Sequence, residues 1–491
     1  MPVILVTLLF IPIFFVRLLR WLAVVQQKEY RLDRIILFLK SKEGKQDFFR
    51  LVPKPHDFTR TGLKRPVQTM RVKAITFLSL LILMILMRLF LFGITDSEIF
   101  FQILYFIFLA MIYTFLPIIV VLAITPTAFL SYIYTFYQLS KAQGKFAKMK
   151  PLVIGITGSY GKTTTKLILD HVLSKRYQTF VTPKSFNTKY SVPKSINKGF
   201  SNQKIAILEY AAYTKGEIKF LTKYFKPDIA IITGLAPQHL GLFGSLQNIV
   251  QAKSELVKAL ADKTRVFVNA RDEGTLKIAK AGGAEKTIAF SGKQSVVKLD
   301  NVKINEEGGL SFSWKGHTVN TSLVGEHYLD AIRAAIVLAK YLEIPDQIIV
   351  KALSTFKQPD YFINLKKGPN SAVLIDDGRS CNPEGFKAAL ELLAWYKAKG
   401  KKTVLVTAGI VDLGDKSATI HKQLAGEAKN IVDLVLYAGE DGKDQFKKVF
   451  ANQLKGSRLA VMEELDIFNQ DTVILIEGKI PRWLEKKLFK K

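Results

Sequence analysis

The sequence has almost no cysteine, and its acidic residues are outnumbered. Cys381 is the only cysteine among 491 residues, so no disulfide can form within the chain, which fits a reducing compartment. The 41 Asp and Glu stand against 71 Lys and Arg, which leaves a formal net charge of +30. A surplus of this size predicts an anionic partner, and an acidic membrane surface, nucleic acid and a phosphorylated substrate are the candidates.

Charge is also scarce in three long apolar runs near the start of the sequence. Residues 74–94 contain one charge, Arg88, and residues 99–123 contain none. Residues 3–25 are apolar apart from Arg17, Arg20 and a few polar positions. In a secretory signal the positive charges precede the apolar stretch, whereas here they follow it. About 20 apolar residues match the hydrocarbon core of a bilayer. The pattern predicts a membrane domain over residues 1–149, the alternative being buried core helices.

The distribution of charge around these runs predicts their orientation. Residues 26–73 are rich in Lys and Arg, whereas the turn after residue 94 carries Asp96 and Glu98 and no base. The positive-inside rule then places the basic loop and everything after the third run in the cytoplasm. We therefore expect a multi-pass protein of the cytoplasmic membrane with anionic lipids as partners. No zinc-finger spacing or RNP-type motif is present, so a nucleic-acid partner is not expected.

From Pro151 onward, short β-branched runs alternate with amphipathic stretches, which is typical of βαβ units and a mostly parallel sheet. The fold class predicted for this part is α/β, with a central domain over residues 150–355 and a second domain over residues 356–491. A strand-rich, glycine-punctuated insertion is predicted over residues 291–324, followed by a helix at 328–342. The predicted strands are 152–157, 205–209, 229–233, 266–269, 373–376, 403–407, 434–437 and 473–476.

A phosphate-binding loop is predicted where the first of these strands ends. The sequence LVIGITGSYGKTTT runs from an apolar strand through glycines into Lys162 and a helix. Backbone N–H groups of such a loop bind phosphate, helped by the helix dipole. Lys162 would neutralise the β- and γ-phosphates, and the Thr163 hydroxyl would reach Mg²⁺. Ile156 stands where the strict Walker pattern has glycine, so a purely structural βα turn is the alternative.

Three further polar residues follow predicted strands. Glu209 ends the strand IAILE, His239 lies in the loop GLAPQHLGLFGS, and Lys253 lies on a probable helix. Ligands gather at the carboxyl ends of strands in open α/β sheets. Taken one by one, each residue can be explained without a function: Glu209 as a solvated strand end, His239 as a loop histidine and Lys253 as a surface lysine.

The order of these segments resembles the Mur ligases, in particular the type that adds D-alanyl-D-alanine to a muramoyl tripeptide. The resemblance covers roughly residues 150–420, with a weaker echo in VILIEGKIPRWLEK near the end. The matching stretches are GITGSYGKTTTK, SFNTKYSVP, GLAPQHLGLFGSLQNIVQAKSEL, VGEHYLDAIRAA, LIDDGRSCNPEGFKAALELLA and DLGDKS.

The resemblance implies a P-loop central domain, a Rossmann-like C-terminal domain and a role for each matching residue. ATP would be held by the loop, by a His and an Asn position, and by an acidic residue of the C-terminal domain; these are Gly158, Ser159, Tyr160, Gly161, Lys162, Thr163, Thr164, His327, Asp330 and Asp377. Thr163 and Glu209 would hold one Mg²⁺. His239 and a carbamylated Lys253 would hold a second, because a carbamate is a hard oxygen ligand whereas an ammonium repels the ion. Lys162, His239 and Lys253 would thus be the catalytic residues.

The implied reaction is ATP-dependent formation of an amide through an acyl-phosphate, with a muramoyl-peptide or related carboxylate as acceptor and an amino acid or dipeptide as the amine. Apolar runs stand where the family has its UDP-sugar domain, which suggests a lipid-linked acceptor. Asp330 replaces the usual Asn, Gly241 replaces an acid, and QPDYF stands where a Gly-Arg pair is expected. A lapsed ATP-binding scaffold, a transport ATPase and a ligase of folylpolyglutamate or cyanophycin type are the alternatives.

Overall fold

The computed structural model describes residues 2–50, 58, 65–92, 99–237, 240–305, 309–359, 362–378, 383–410, 413 and 416–489. The chain divides into two compact units, residues 1–137 and residues 138–491. The second unit therefore begins thirteen residues before Pro151, where the α/β pattern of the sequence starts.

The first unit is helical throughout its described secondary structure. Its helices are α1 (Pro2–Gln27), α2 (Leu32–Lys40), α3 (Lys42–Phe49), α4 (Met70–Phe92), α5 (Ile99–Leu122) and α6 (Ile124–Met149), the last of which runs on into the second unit. Three segments among the described residues are long and apolar enough to cross a membrane: Phe10–Gln27, Met70–Phe90 and Ile103–Met149. The third segment joins α5 to α6, and the sequence analysis did not anticipate α6 as a helix.

Large apolar side chains of the first unit point outward as well as inward. Phe77 and Leu89 on α4 are 64% and 68% exposed, and Ile107 on α5 is 58% exposed. Arg17, in contrast, lies inside, where its guanidinium donates to the carbonyl oxygens of Phe48 at 2.8 Å and Thr114 at 3.2 Å. The guanidinium of Arg17 is therefore held by backbone oxygens, whereas Arg20 pairs with the carboxylate of Asp47.

The second unit begins with a parallel sheet in the order β2-β3-β1-β4-β5-β6. Its elements are β1 (Leu152–Thr157), α7 (Lys162–Leu173), β2 (Thr179–Val181), α8 (Ser191–Gly199), β3 (Ile205–Glu209), α9 (Glu217–Tyr224), β4 (Ile229–Ile232), α10 (Leu240–Phe243), α11 (Leu246–Lys258), β5 (Val266–Asn269), α12 (Glu273–Ala281) and β6 (Ile288–Ser291). Apolar side chains bury both faces of the sheet, as parallel sheets require. All carboxyl ends of the strands therefore meet at one edge.

The predicted strand-rich insertion is an antiparallel sheet in the order β7-β8-β9. Its strands are β7 (Asp300–Ile304), β8 (Leu310–Trp314) and β9 (His317–Asn320). A 3₁₀ turn at Glu326–Tyr328 leads into α13 (Leu329–Tyr341), and α14 (Asp346–Ser354) follows. Buried α13 packs beside α7 in the same apolar cluster, so the turn before it is held close to the first sheet.

A further sheet, in the order β10-β11-β15-β12-β13-β14, is parallel except where β10 pairs antiparallel with β11. Its elements are β10 (Asn364–Lys367), β11 (Val373–Asp377), α15 (Pro383–Ala398), β12 (Lys402–Thr407), α16 (Ser417–Ala428), β13 (Leu434–Tyr437), α17 (Lys443–Phe450), β14 (Leu454–Lys455), α18 (Arg458–Asp466), β15 (Thr472–Glu477) and α19 (Arg482–Leu488). The predicted α/β class with mostly parallel sheets is confirmed.

Candidate nucleotide and metal site

The loop between β1 and α7 has the shape of a phosphate cradle. Gly158 and Gly161 have φ of +154° and +74°, in the region that favours glycine. A Cβ on Gly158 would stand 2.1 Å from Thr233 Oγ1, so only glycine fits against the end of β4. No described side chain caps α7, whose N-cap is Gly161. The first N–H groups of α7 are thus available to an anion.

Lys162 and Lys253 converge on this loop from two helices. Lys162 Nζ donates to the carbonyl oxygen of Gly158 at 2.8 Å, and Lys253 Nζ donates to the same oxygen at 2.7 Å. Burial lowers the pKa of Lys162, and the neighbouring Lys166 lowers it further. Burial lowers the pKa of Lys253 well below its usual value, and the charge of Lys162 adds to this effect. A lowered pKa increases the share of the neutral amine form of Lys253 at a given pH.

Glu209 is the acidic centre of the site. It lies 1% exposed at the carboxyl end of β3, beside β1. Its Oε2 accepts from Thr163 Oγ1 at 2.9 Å and lies 3.1 Å from Lys166 Nζ, while its Oε1 accepts from Asn187 Nδ2 at 2.9 Å. The sheet order thus brings together Thr163 and Glu209, which are 46 residues apart. Both are hard oxygen donors of the kind that Mg²⁺ takes along with phosphate oxygens and water.

The donor set fits one Mg²⁺ but supplies no complete cage for a second. Among the residues that the structure describes, no group of three or more His, Cys, Asp and Glu side chains is placed to hold a metal. His239, which the resemblance assigns to a second metal, lies outside the described residues. Lys253 lies at the loop as expected, but an amine is not an oxygen ligand, so it fits a metal only after carbamylation.

A second polar group lies at the ends of β4, β5 and β6. Tyr160 Oη donates to Asp272 Oδ2 at 2.9 Å, and burial raises the pKa of this tyrosine. Asp330 accepts from Asn269 Nδ2 at 3.0 Å and from Ser291 Oγ at 2.5 Å. The guanidiniums of Arg333 and Arg271 lie 3.1 and 3.5 Å from the same carboxylate. Asp330 is therefore tied to the sheet edge and to two cations.

The remaining predicted ATP contacts are His327, in the turn before α13, and Asp377, at the end of β11. His327 is half-buried, and its ring centroid lies 3.9 Å from that of Tyr328. Burial lowers the pKa of His327 to about 4, and among described residues its Nδ1 has no hydrogen-bond partner. Ile363 N donates to Tyr328 Oη at 3.2 Å, which links the turn before α13 to the segment that leads into β10. Asp377 ends β11, and its charge contributes to the raised pKa of Tyr328, whose main cause is burial.

The structure also places residues at the site that the sequence analysis did not single out. They are Lys166, Asn187, Asn269, Asp272 and Ser291. Lys166 and Asn187 stand within GITGSYGKTTTK and SFNTKYSVP, so the matching motifs carried a signal for these two. The other three stand at or just after strand ends, which is the signal that identified Glu209.

Comparisons with known proteins agree with this geometry. The profile of the Mur ligase middle domain matches residues 156–339. A UDP-N-acetylmuramoyl-tripeptide--D-alanyl-D-alanine ligase of Bacillus subtilis is 32% identical over 288 residues, which are 58% of this chain and 62% of that protein. Its counterpart in Synechocystis is 29% identical over 295 residues, 60% of this chain and 63% of the relative. The chain thus spans less than two thirds of the length of these curated relatives.

Solved structures extend the likeness beyond the middle domain. MurF from Acinetobacter baumannii has a TM-score of 0.65 at 24% identity, over 73% of this chain and 81% of that one. MurF from Thermotoga maritima in complex with ADP has a TM-score of 0.63 at 24% identity, over 72% of this chain and 83% of that one. At this identity the two structures establish the shared fold. The family match is with the Mur ligase middle domain, over residues 156–339 of this chain.

Proposed function

We propose that the chain is an ATP-dependent amide-forming ligase that joins D-alanyl-D-alanine to a muramoyl tripeptide. The observation that carries the proposal is the convergence of Lys162, Thr163, Glu209 and Lys253 at the Gly158 loop. A nucleotide-binding scaffold needs the loop and Lys162, but it has no use for a buried second lysine against the same carbonyl. The names of the relatives supply the substrate class.

In this proposal ATP lies along the carboxyl edge of the first sheet. The loop from Gly158 to Thr164 holds the phosphates with its N–H groups, and Lys162 neutralises their charge. Lys162 has to leave the Gly158 carbonyl to do so. His327, Asp330 and Asp377 lie around the rest of the nucleotide.

Thr163 and Glu209 would hold Mg²⁺ together with phosphate oxygens. The bound ion would neutralise part of the negative charge on the phosphates. Glu209 is paired with Lys166 and oriented by Asn187, so it presents oxygen ligands without rearrangement. Lys253 and His239 would serve a second ion once Lys253 is carbamylated.

The chemistry comprises two substitutions. An oxygen of the acceptor carboxylate forms a bond to the γ-phosphorus, and the bond from that phosphorus to ADP breaks. The amine of the dipeptide then bonds to the acyl carbon, inorganic phosphate leaves, and the amine loses a proton. Lys162 offsets the charge that develops on the transferred group, as positioned cations do in phosphoryl transfer. The contact of Tyr328 with Ile363 would help the C-terminal domain close over the site and exclude water.

Modification of Lys253 follows from its burial. The neutral amine bonds to the carbon of CO₂ and releases one proton, which yields a carbamate. Because burial lowers the pKa of Lys253 well below its usual value, a larger share of this amine is in the nucleophilic, neutral form than for an exposed lysine.

We also propose that the first unit spans the cytoplasmic membrane several times and leaves the ligase unit in the cytoplasm. Its outward-facing apolar side chains on α4 and α5 support this, since water would not solvate them favourably. A lipid-linked muramoyl peptide is then a natural acceptor, because such a substrate stays at the same surface.

The decisive experiment uses the full-length protein in nanodiscs with ATP, Mg²⁺ and bicarbonate. UDP-muramoyl-tripeptide and its lipid-linked counterpart are offered separately with D-alanyl-D-alanine, and ADP and product mass are measured. We expect acceptor-dependent ADP and a product heavier by the dipeptide, with loss of both in Lys162→Met. Lys277→Met on exposed α12 is the matched control and should keep full activity. ATP binding without acceptor-dependent release of ADP would contradict the ligase and favour a scaffold. A product in which glutamate or another amino acid, offered in place of the dipeptide, is joined to the acceptor would assign a different ligase type.

A further inference from the structure

The positive charge of the second unit is concentrated in its first quarter. Residues 138–226 contain 17 Lys and Arg against three Asp and Glu, a surplus of 14 in 89 residues. Residues 227–491 contain 38 against 31, a surplus of seven in 265 residues. The density of excess charge is therefore several times higher in the segment that follows the apolar helices.

The three acids of this segment make the following contacts. Asp170 accepts from Thr179 Oγ1 at 2.6 Å, Glu209 belongs to the candidate metal site, and Glu217 accepts from Tyr213 N at 2.7 Å. Asp228, just beyond the segment, is bound in the same way, since its Oδ2 accepts from Val153 N at 2.8 Å.

The fold gathers many of these lysines at the amino-terminal edge of the first sheet. Lys150, Lys204 and Lys226 come shortly before β1, β3 and β4, which are neighbours in the sheet. Neighbouring strands lie about 4.8 Å apart, so the three lysines share an edge only about 10 Å wide. All three are exposed.

The second half of α6 lies across the same edge. Phe146 packs on Phe200 and Phe225, with ring centroids 4.7 and 5.2 Å apart, and these two aromatics follow α8 and α9. Lys145 Nζ donates to the carbonyl oxygens of Asn197 and Phe200, each at 2.9 Å. Exposed Lys148, Lys198 and Lys223 flank this contact. We call Lys148, Lys150, Lys198, Lys204, Lys223 and Lys226 the basic edge.

The basic edge cannot serve the nucleotide. The phosphate loop follows the opposite, carboxyl end of β1, and six strand residues at about 3.3 Å each place the two edges about 20 Å apart. That separation is about two Debye lengths at physiological ionic strength.

The residues before the basic edge point to its partner. Phe129, Tyr132, Tyr134, Phe136 and Tyr137 on α6 are 53% to 66% exposed, and the lysines begin four residues after the last of them. Aromatic residues followed by lysines are typical of a segment that leaves a bilayer through its headgroup layer. These aromatics lie within the apolar segment Ile103–Met149, which is long enough to cross a membrane, and this favours a bilayer over nucleic acid.

We propose that the basic edge binds anionic phospholipid headgroups and seats the ligase unit on the membrane with its nucleotide site on the far edge of the sheet. This inference rests on the proposed membrane anchoring and is independent of the ligase chemistry. Each lysine near an anionic surface contributes about fivefold to the association equilibrium.

The test measures how close the basic edge lies to headgroups in the full-length chain. Asn202→Cys, in the loop between α8 and β3, is introduced with Cys381→Ser and labelled with a fluorophore, and the nanodiscs carry headgroup-spin-labelled lipid as the quencher. Gly426→Cys on exposed α16 is the reference position, since a Cβ there meets nothing within 4 Å. We expect strong quenching at position 202 with phosphatidylglycerol, little with phosphatidylcholine alone, and reversal by 1 M NaCl.

Two charge variants test whether the association is specific to the basic edge. Lys198→Gln, Lys204→Gln and Lys226→Gln together should weaken the surface association by about two orders of magnitude and abolish the quenching. Lys277→Gln, Lys280→Gln and Lys286→Gln remove equal charge from exposed positions elsewhere and should leave it unchanged. Circular dichroism checks that both triple variants fold.

Each other outcome overturns the inference. Equal quenching in both lipids, or equal loss in both triple variants, would mean that no specific headgroup site exists. A response to added RNA in phosphatidylcholine nanodiscs would assign the edge to nucleic acid. If the protein co-elutes with nanodiscs but shows no quenching, only the proposed binding of headgroups to the basic edge is refuted. If the protein does not co-elute, the anchoring proposal is refuted as well.

Discussion

Lys162 and Lys253 donate to one and the same carbonyl oxygen, that of Gly158, at 2.8 and 2.7 Å. Two ammonium groups on one oxygen would repel each other in a buried site, and the lowered pKa of each residue relieves this conflict. Lys253 is the more strongly affected of the two. One residue is thus suited to remain a cation for phosphate and the other to react as an amine.

The first prediction concerns bicarbonate. Since the pKa of Lys253 is lowered, its amine is neutral at pH values above that lowered pKa and becomes protonated as the pH falls through it. We expect ¹³C-labelled bicarbonate to give a carbamate resonance in the wild-type chain at pH 8 that disappears on acidification. The resonance should be missing in Lys253→Met and present in Lys258→Met, which alters the exposed end of the same helix. A carbamate signal that survives in Lys253→Met would contradict the assignment.

The second prediction concerns the turn of the phosphate loop. Gly158→Ala puts a Cβ 2.1 Å from Thr233 Oγ1 at a φ of +154°, so the loop has to move. Strain of about 1–3 kcal/mol should weaken ATP binding about 10- to 100-fold, as measured by titration with a fluorescent ATP analogue. Gly426→Ala, in open space on α16, should leave the affinity unchanged and raise stability by about 0.4–1 kcal/mol. Equal affinities of the two variants would show that the loop does not hold the phosphates.

The third prediction concerns the buried ion pair of Lys166 and Glu209. Their side chains are 0% and 1% exposed, so Lys166→Met leaves a buried charge without its counter-ion. We expect a loss of about 3–5 kcal/mol in the free energy of unfolding. Adding Glu209→Gln should recover much of that loss while abolishing Mg²⁺-dependent activity.

A surface pair provides the control for this experiment. Lys401 Nζ lies 2.7 Å from Asp471 Oδ1, and the two side chains are 35% and 65% exposed. Water screens such a pair, so Lys401→Met should cost no more than about 1 kcal/mol. If Lys166→Met were as mild as Lys401→Met in urea denaturation, the Lys166–Glu209 pair would not be a stabilising element of the site.

The sequence predicted the strands that carry the site because each is a short β-branched run between polar residues. The bounds predicted for β1, β3, β5 and β13 are those of the structure. By contrast, β2 and β14 span three and two residues, too few for any periodicity to appear. Helix α6 was missed because its first half is apolar and its second half is lysine-rich, so that neither pattern extends over the whole helix.

The side-chain partners of the site depend on strand order, which the sequence does not contain. Thr163 was predicted to work with Glu209 through a resemblance, and it is the pairing of β1 with β3 that brings them to 2.9 Å. Lys166 was not singled out because a lysine on a helix is usually solvated, whereas here it is fully buried against Glu209. His239 lies outside the described residues, and its role stays a prediction.

The last prediction concerns pH and His327. Burial lowers the pKa of His327 to about 4, whereas an unfolded chain would titrate near 6.5. Between these values the unfolded state binds the additional proton, so the stability contributed by the neutral ring is complete above about pH 6.5. It is lost as the pH falls toward 4, by about 3 kcal/mol in all. The apparent melting temperature of the wild-type chain should therefore fall between pH 7 and pH 4.5.

His327→Phe separates this effect from the other titrating groups. Phenylalanine keeps a ring against Tyr328 and forfeits no hydrogen bond of Nδ1, which has no partner among the described residues. The melting temperature of the variant should fall less than that of the wild type over the same pH range. His317→Gln, at an exposed position of β9, is the control for removal of a histidine. If all three curves were parallel, His327 would have to be protonated or solvated in the folded chain. It would then act as a charged contact to phosphate rather than as a neutral ring.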